Sequence, residues 1–512
     1  MPPHRTKPRF TFAQRAAGAL LHPTSLPGPH GCGDLGPGAY RFVDFLAAAG
    51  QRWWQMLPVG PTPDNGAPYS AHSAFAGNPL LISLDALARD GLLTRAELTP
   101  ERAMSPGRVD FPATIAFRMD RLRRAYARFA QAGGFARPAF ARFVTTEAAW
   151  LAPYALFCAL RRVHRGRPWT NWATVRAAVS QNRALRDEFS FTLFAQFTFD
   201  QQWSALRRYA NDRGVGLIGD SPIFVSHDSC DVWAHPRLFD LDAAGRPKTK
   251  SGCPPDMFSK TGQLWGHPQY RWPQHQATGF AWWLARFARL FSLFDAVRID
   301  HFLGFYRVWA VPGRARTAQH GRWVRVPGGE LLTALRRRLG PQEILAEDLG
   351  VVTPQAVALR ERFGFPGMRI LQSAFDREGD RYNQPHAFPP NCVVYSGTHD
   401  NDTTVGWLER LRRDNRRPRR RGALTPYRRV LRYLGTTGRE IHWDFIRLAL
   451  ASPANTAIVP VQDLLGLGNE ARMNLPATTR GNWQWRLLAG QLTPRIAARL
   501  RDLAAAYGRL IG

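Results

Sequence analysis

Eight short apolar runs, each ending in polar residues, constrain the fold of this chain more than any other feature. They are Ala17–His22, Trp53–Pro58, Gly216–Pro222, Phe294–Asp300, Glu343–Glu347, Met368–Gln372, Cys392–Gly397 and Ala457–Asp463. Short apolar runs bounded by Gly, Pro or charge are typical of buried parallel strands. Amphipathic stretches lie between several runs, at Ala39–Ala49, Trp203–Arg213, Ala281–Phe291, Gly329–Leu339 and Pro354–Phe363. Strands alternating with helices predict a parallel sheet, and eight such units predict a (β/α)8 TIM barrel.

The spacing of the runs predicts large insertions in this barrel. About 150 residues separate the second and third runs, so we expect inserted helices at Ala86–Arg95, Ala116–Ala132, Phe140–His164 and Trp172–Arg186. A second insertion, Asp231–Trp272, is rich in Pro, Gly, Trp and Phe and has little periodicity, which indicates a long functional loop. The predicted organisation has three parts. Residues 1–80 hold the first strands and a donor-side loop, residues 81–200 form a helical subdomain, and residues 201–512 hold the other strands, with 231–275 over the active site.

Charge and cysteine usage limit the classes of partner. The formal net charge is +30, and only four of the 69 basic residues are lysine. Such a surplus can indicate a polyanion, but the arginines are scattered, and the dense run 410–421 is interpreted as a solvated surface. No nucleic-acid-binding motif and no long apolar stretch is evident, so we expect neither nucleic acid nor membrane as a partner. The five cysteines include no CxxC pair, which predicts reduced thiols, a cytoplasmic protein and no zinc site.

Carboxylates follow five of the predicted strands. Asp220, Asp300, Glu347, Asp400 and Asp463 come at or just after the strand ends. Barrel enzymes build their sites at the carboxyl ends of several strands at once. We therefore expect these acids to converge on a catalytic site.

Two chemistries compete for such a cluster of acids. Glycosidic-bond chemistry needs one ionised carboxylate and one protonated carboxyl group, whereas a metal site would use the same oxygens as ligands. The sequence contains no short-spaced ligand set such as an EF-hand loop, so we expect no metal and no cofactor. Sugar recognition also needs planar apolar faces beside polar groups, and the segment Gln263-Leu-Trp265 among 17 Trp residues fits that need.

The motifs of the chain resemble those of the 4-α-glucanotransferases, the amylomaltase or disproportionating-enzyme family, glycoside hydrolase family 77. The segments run in order over nearly the whole chain: His22-Pro-Thr-Ser-Leu-Pro27, Trp53-Trp-Gln55, Ser73-Ala-Phe-Ala-Gly-Asn-Pro79, Gly219-Asp-Ser-Pro-Ile-Phe-Val225, Asp228-Ser-Cys-Asp-Val-Trp233, Pro254-Pro-Asp256, Gly262-Gln-Leu-Trp-Gly266, Val297-Arg-Ile-Asp-His-Phe302, Ala346-Glu-Asp-Leu-Gly350, Gly397-Thr-His-Asp-Asn401 and Asn482-Trp-Gln-Trp-Arg486. The resemblance implies a TIM barrel and transfer of α-1,4-glucan segments between maltooligosaccharides, with cyclic glucans as further products. We expect a monomer or a weak homo-oligomer.

The resemblance also implies a role for each matching residue. Asp300 matches the nucleophile, Glu347 the general acid/base, and Asp400 a third carboxylate that holds sugar hydroxyls. The implied substrate-binding residues are Arg298, His399, Asp220, Tyr69, Asp256, Gln263 and Trp265. Arg298 lies two residues before Asp300 on the same face of the strand and would keep it ionised.

Five residues depart from the family pattern, and two alternative functions stay open at this stage. Arg314 stands where the family usually has Glu, and Ala477 replaces a common Gly; the other departures are Ala67, Met257 and Leu303. The enzymatic alternative is an α-glucan hydrolase, and the other is an inactive protein that binds glucan or nucleic acid. The positive charge is unexplained by a neutral glucan substrate.

Overall fold

The computed structural model describes residues 10–172, 182–255, 259–376, 380–415 and 424–510. The strands are β1 Ala16–Leu20, β2 Trp53–Gln55, β3 Gly216–Pro222, β4 Thr249–Cys253, β5 Gln263–Pro268, β6 Ala296–Asp300, β7 Arg307–Pro312, β8 Arg322–Arg325, β9 Ile344–Ala346, β10 Gly367–Ile370, β11 Cys392–Tyr395 and β12 Thr456–Pro460. The helices are α1 Pro37–Ala48, α2 Leu84–Arg89, α3 Phe111–Gln131, α4 Pro138–Thr146, α5 Ala148–Val163, α6 Arg183–Asp212, α7 Cys230–Ala234, α8 Trp272–Ala277, α9 Ala281–Leu293, α10 Gly328–Leu339, α11 Pro354–Arg362, α12 Thr404–Asp414, α13 Pro426–Leu434, α14 Ile441–Ala451, α15 Val461–Leu464 and α16 Pro494–Ala506.

Eight strands form a parallel sheet whose order follows the chain. The order is β10-β11-β12-β1-β2-β3-β6-β9, and every neighbouring pair is parallel. The N–H of Ala346, in β9, donates to the carbonyl of Pro366, just before β10, at 2.9 Å, and this bond brings the two edges together. The predicted (β/α)8 barrel is confirmed, with each of the eight apolar runs contributing one strand.

The side chains of each barrel strand alternate between two cores. Ala16, Leu20, Ile218 and Val393 belong to a core inside the barrel. Their immediate neighbours along the strands, including Ala17, Leu217 and Val394, belong to a larger core between the barrel and its helices. This period of two is the normal geometry of a strand, and it decides which residues at the strand ends can face the barrel axis.

The first insertion is helical, but two of its predicted helices are wrong in extent. The stretch Phe140–His164 is two helices, α4 and α5, bent by 93°. Both helices contact α6. Phe140 of α4 packs against Phe197 of α6, and Phe157 of α5 also packs against Trp233 of α7. The helix expected at Ala86–Arg95 stops at Arg89, because the chain reverses at Gly91 with φ of 74°.

Two other predicted helices belong to one longer element. The stretch Trp203–Arg213 is the end of α6, which begins at Arg183 behind the capping side chain of Asn182. Most of the stretch predicted as Trp172–Arg186 lies outside the described residues. Among the described residues no single helix is long and apolar enough to span a membrane, although α4 and α5 satisfy that test as a bent pair by length and composition.

The second insertion contains strands that the sequence analysis missed. β4 and β5 join β7 and β8 in an antiparallel sheet of order β5-β4-β7-β8. β4 has the sequence Thr-Lys-Ser-Gly-Cys, which shows no apolar alternation. This strand is defined by its backbone pairing with β7 rather than by burial of one face. The expectation of an irregular loop is therefore wrong for β4 and β5.

Candidate active site

Three predicted site carboxylates share the inward register of their strands. Asp220 is two residues after the inward Ile218 in β3, Asp300 is four after the inward Ala296 in β6, and Glu347 is two after the inward Leu345 in β9. Because β6 pairs with both β3 and β9, the three acids lie on adjacent strands at the same end of the barrel.

Arg298 joins two of these acids. Its Nη1 donates to Asp220 Oδ1 at 2.9 Å and Oδ2 at 2.7 Å, and its Nη2 donates to Asp300 Oδ1 at 2.9 Å. Burial lowers the pKa of the Arg298 guanidinium, but the charges of Asp220 and Asp300 outweigh this effect and raise it well above its usual range. Arg298 is therefore a fixed positive charge between two carboxylates.

Asp220 and Asp300 differ in exposure. The Asp220 side chain is 0% exposed, whereas the Asp300 side chain is 32% exposed. Burial raises the pKa of Asp220 in spite of the Arg298 charge. Asp300 is thus the carboxylate of this pair that a ligand in the barrel mouth can contact.

Glu347 is a buried carboxyl group. Burial, and next the charge of Asp300, raise the pKa of Glu347 to about 8. Its two oxygens accept from the backbone N–H of His301 at 2.7 Å and of Leu349 at 2.8 Å. His301, the residue directly after Asp300, has φ of 54°. This left-handed conformation is unusual for a residue other than glycine. A protonated Glu347 beside an exposed, arginine-paired Asp300 is the arrangement of an acid and a nucleophile.

Asp400 is held by a segment that follows the last barrel strand. Asn474 Nδ2 donates to Asp400 Oδ1 at 2.6 Å, and Arg472 Nη2 donates to the Asp400 carbonyl. The N–H of Asn474 donates to the carbonyl of His399 at 3.0 Å. His399 Nε2 lies 3.4 Å from Asp400 Oδ2. Sequence reasoning missed Arg472 and Asn474, because no motif quoted from the sequence includes either residue.

An aromatic cluster lies next to this segment. The Tyr69 ring stacks on His399 with centroids 5.3 Å apart, and its hydroxyl donates to Asp220 Oδ2 at 2.7 Å. The Trp483 ring lies 5.9 Å from Tyr69 and 6.0 Å from His399. The sequence analysis quoted Trp483 in a motif but gave it no role.

The second insertion brings two further predicted residues to the site. Trp265, in β5, meets the His301 ring edge to face at 4.8 Å, and its Nε1 donates to Gln263 Oε1 at 3.3 Å. Gln263 and Trp265 therefore lie on the same side of the site as Asp300. Asp256 lies outside the described residues.

Asp463 is the one acid of the predicted convergence that is directed elsewhere. It lies in α15, the short helix that begins after β12 has ended at Pro460, so the register of the strand does not reach it. Its oxygens accept from the Ser396 hydroxyl at 2.6 Å and from the Thr404 N–H and hydroxyl at 2.7 and 2.8 Å. The expectation that Asp463 joins the catalytic carboxylates is wrong, because it ties the end of β11 to the start of α12.

The donor set does not suggest a metal. Within the described residues, no group of three or more His, Cys, Asp or Glu side chains is arranged to hold an ion. The hydrogen-bond partners of the acids are arginine, backbone N–H groups, hydroxyls and an amide, which are donors for carboxylates.

Comparisons with known proteins place nearly the whole chain in one family. The sequence matches the family described as 4-alpha-glucanotransferase over residues 21–492. The 4-alpha-glucanotransferase of Thermus thermophilus is 46% identical over 97% of this chain and 99% of its own length. The chloroplastic/amyloplastic enzyme of Arabidopsis thaliana is 40% identical over 97% of this chain and 86% of its own. The amylomaltase from Streptococcus agalactiae, solved in complex with acarbose, superposes with a TM-score of 0.90 at 35% identity, covering 97% of this chain and 100% of that one.

Proposed function

The chain belongs to the 4-alpha-glucanotransferase family, glycoside hydrolase family 77, and transfers α-1,4-glucan segments between sugars; we propose that Asp300 and Glu347 perform this transfer by a retaining double displacement. The observation that carries the assignment is the contrast between the two acids. Asp300 is exposed and paired with Arg298, whereas Glu347 is buried with its pKa raised to about 8.

In the first step an Asp300 oxygen attacks the anomeric carbon of the donor. The glycosidic bond breaks, and the proton of Glu347 goes to the departing 4-oxygen. The product is a glycosyl ester of Asp300 and a shortened glucan.

The ester changes the charge that Glu347 experiences. Asp300 is neutral once esterified, so the charge that helped to raise the pKa of Glu347 is removed. Glu347, now ionised, takes the proton of the acceptor 4-hydroxyl, whose oxygen attacks the anomeric carbon and releases Asp300. Both steps need the two carboxyl groups about 5–5.5 Å apart.

The other predicted residues bind the sugar in this proposal. Asp400 and His399 hold hydroxyls of the sugar at the cleavage point, and Tyr69 provides an aromatic wall. Asp220 orders the site through Arg298. Gln263 and Trp265 belong to the segment over the cleft, which favours the acceptor over water. Asp256 is assigned to sugar binding from the resemblance alone.

The direct test uses Asp300→Asn with maltotriose as the substrate. The wild-type enzyme should produce glucose and a series of longer maltooligosaccharides, separated by chromatography, whereas a hydrolase would produce only shorter sugars. The Asn variant should lose several orders of magnitude in turnover because a neutral amide is a poor nucleophile. Asp44→Asn, at an exposed carboxylate that bonds Tyr209 and Arg213, is the matched control.

A second experiment tests the covalent step. Glu347→Gln, incubated with an α-maltosyl fluoride that needs no acid assistance, should accumulate an ester on the peptide that contains Asp300, detected by mass spectrometry. An ester at another carboxylate would reassign the nucleophile.

Three finer statements belong to the same proposal. Long amylose should also yield cyclic glucans, lighter than their linear counterparts by one water, when the acceptor is the other end of the bound chain. We expect a monomer or weak homo-oligomer by light scattering. A cytoplasmic location fits the five cysteines, which include no CxxC pair, and cell fractionation would test it.

A further inference from the structure

Residues 472–474 hold several parts of the site at once, and we call them the bracket segment. Asn474 Nδ2 donates to Asp400 Oδ1 at 2.6 Å, and its backbone N–H donates to the His399 carbonyl at 3.0 Å. The carbonyl of the middle residue accepts from the N–H of Trp483 at 2.7 Å, and the Trp483 ring lies against His399. The position of the bracket segment therefore decides where these groups lie in the cleft.

The guanidinium of Arg472 divides its three nitrogens among three residues. Its Nη2 donates to the Asp400 carbonyl, its Nε donates to the Asn474 carbonyl at 2.7 Å, and its Nη1 donates to Asp402 Oδ1 at 2.5 Å. A guanidinium is planar, so the directions of these N–H groups are fixed relative to one another. Arg472 thus ties the turn after β11, which carries Asp400 and Asp402, to the bracket segment.

The Asp400 carboxylate depends on such bonds for its orientation. Its side chain is 43% exposed, so packing against neighbours restrains it only in part. The Asn474 amide holds one of its oxygens, and Arg472 holds its backbone carbonyl. Because Arg472 also holds the Asn474 carbonyl, both restraints on Asp400 depend on this one side chain.

Neutralising Asp402 does not by itself account for Arg472. Asp402 Oδ2 accepts from Arg410 Nε at 2.8 Å, and Asp402 Oδ1 also accepts from Asn469 Nδ2 at 3.1 Å. Asp402 therefore has a second cation beside it. Of the two cations, it is Arg472 that also reaches the Asp400 carbonyl.

We propose that Arg472 is a positioning residue for the transfer reaction, which acts through Asp400 by directing its carboxylate at the sugar bound at the cleavage point. This inference rests on the proposed function, in which Asp400 holds hydroxyls of that sugar. Hydrogen bonds to a sugar ring that distorts during bond cleavage are stronger in the transition state than in the bound substrate. Loss of Arg472 should therefore lower turnover more than it weakens substrate binding.

The first measurement is the steady-state kinetics of Arg472→Gln on maltotriose. We expect kcat to fall about 100-fold, since a displacement of about 1 Å at a positioned group costs that much. KM should change by less than about threefold, because the interaction that is lost belongs mainly to the transition state. Arg472→Lys keeps the charge but not the three fixed N–H directions, and it should recover only part of the loss.

The matched control is Arg410→Gln. This variant removes the other cation of Asp402, on the exposed side of α12, and should keep the wild-type kcat. Circular dichroism and the melting temperature of each variant show that the assays are made on folded enzyme. A wild-type kcat in Arg472→Gln would overturn the inference, and so would an equal loss in Arg410→Gln.

A double-mutant cycle tests whether Arg472 acts through Asp400. Arg472→Gln is compared in the wild-type and the Asp400→Ala backgrounds, both with α-maltosyl fluoride as the donor and maltose as the acceptor. The loss of about 100-fold in the wild type should shrink to less than about fivefold in Asp400→Ala, because residues that act as a unit have non-additive effects. The same loss in both backgrounds would overturn the inference and leave Arg472 as a structural residue.

Failure of this inference is distinguishable from failure of the proposed function. Asp300→Asn leaves the contacts of Arg472 in place, so retained turnover in that variant contradicts the proposed function alone. If Asp300→Asn is inactive while Arg472→Gln keeps the wild-type kcat, only the role of Arg472 is contradicted.

Discussion

At the residue scale, the site depends on where single charges are placed. Arg298 contacts Asp220 and Asp300, while Glu347 is satisfied by two backbone N–H groups. Burial, and next the charge of Asp300, outweigh these two hydrogen bonds and raise the pKa of Glu347 to about 8. Glu347 therefore carries a proton at neutral pH.

The raised pKa of Glu347 predicts a pH effect on stability. In the unfolded chain this group ionises near its ordinary pKa of about 4.3, whereas in the folded chain it keeps its proton up to about pH 8. Its stabilising contribution is complete below the unfolded pKa and is lost as pH rises to about 8. The melting temperature of the wild-type enzyme, relative to Glu347→Gln, should therefore fall between about pH 5 and pH 8. Exposed Glu409→Gln should show no such trend, and a difference independent of pH would contradict the raised pKa.

A second prediction concerns Trp483. Its backbone is left-handed, with φ of 66°, and its N–H donates to Met473 at 2.7 Å, so the ring is fixed against Tyr69 and His399. Trp483→Ala should lower kcat/KM on maltotriose by about 10- to 100-fold, because small displacements of positioned groups are costly. We expect the loss mainly in kcat and expect Trp483→Phe to recover much of it. An unchanged kcat in the Ala variant would show that the ring is only structural.

At the element scale, the backbone at each strand end decides where an acid is directed. Asp220, Asp300 and Glu347 follow the inward register of β3, β6 and β9, whereas Asp463 lies in the short helix α15, after β12 has ended at Pro460. The error over Asp463 came from treating it as a residue at the end of a strand. Its role is to join β11, α12 and α15.

The role of Asp463 predicts a stability loss without a catalytic signature. Asp463→Ala leaves the Ser396 hydroxyl and the Thr404 N–H without their acceptor. Each unsatisfied buried group costs about 1–3 kcal/mol, so urea unfolding should show a loss of about 2–5 kcal/mol. Asp463→Asn keeps one acceptor oxygen and should lose less. A variant with wild-type stability would contradict the assigned contacts.

At the scale of the whole molecule, the formal charge of +30 opposes folding through self-repulsion. Many arginines are neutralised locally; Arg118, for example, is fully buried against Asp34. The remaining cations interact over distances that salt screens. Raising NaCl from about 0.02 M to about 0.3 M should therefore raise the melting temperature, measured by calorimetry. A fall would show that attractive ion pairs outweigh the net repulsion.

The sequence by itself determined the barrel and most of the site. The eight apolar runs require burial on both faces of a sheet. Their order along the chain is also the order of the strands in the sheet. The positions of the acids at the strand ends could be predicted as well, because a strand fixes both the position and the direction of its last side chain.

The tertiary structure alone decided what depends on distant partners. Arg472 and Asn474 contact Asp400 from a segment more than 70 residues away, and the bend between α4 and α5 accompanies the packing of both helices on α6. The sheet β5-β4-β7-β8 is defined by backbone pairing between segments that have no apolar alternation of their own. These features depend on long-range contacts, which a local pattern of residues does not encode.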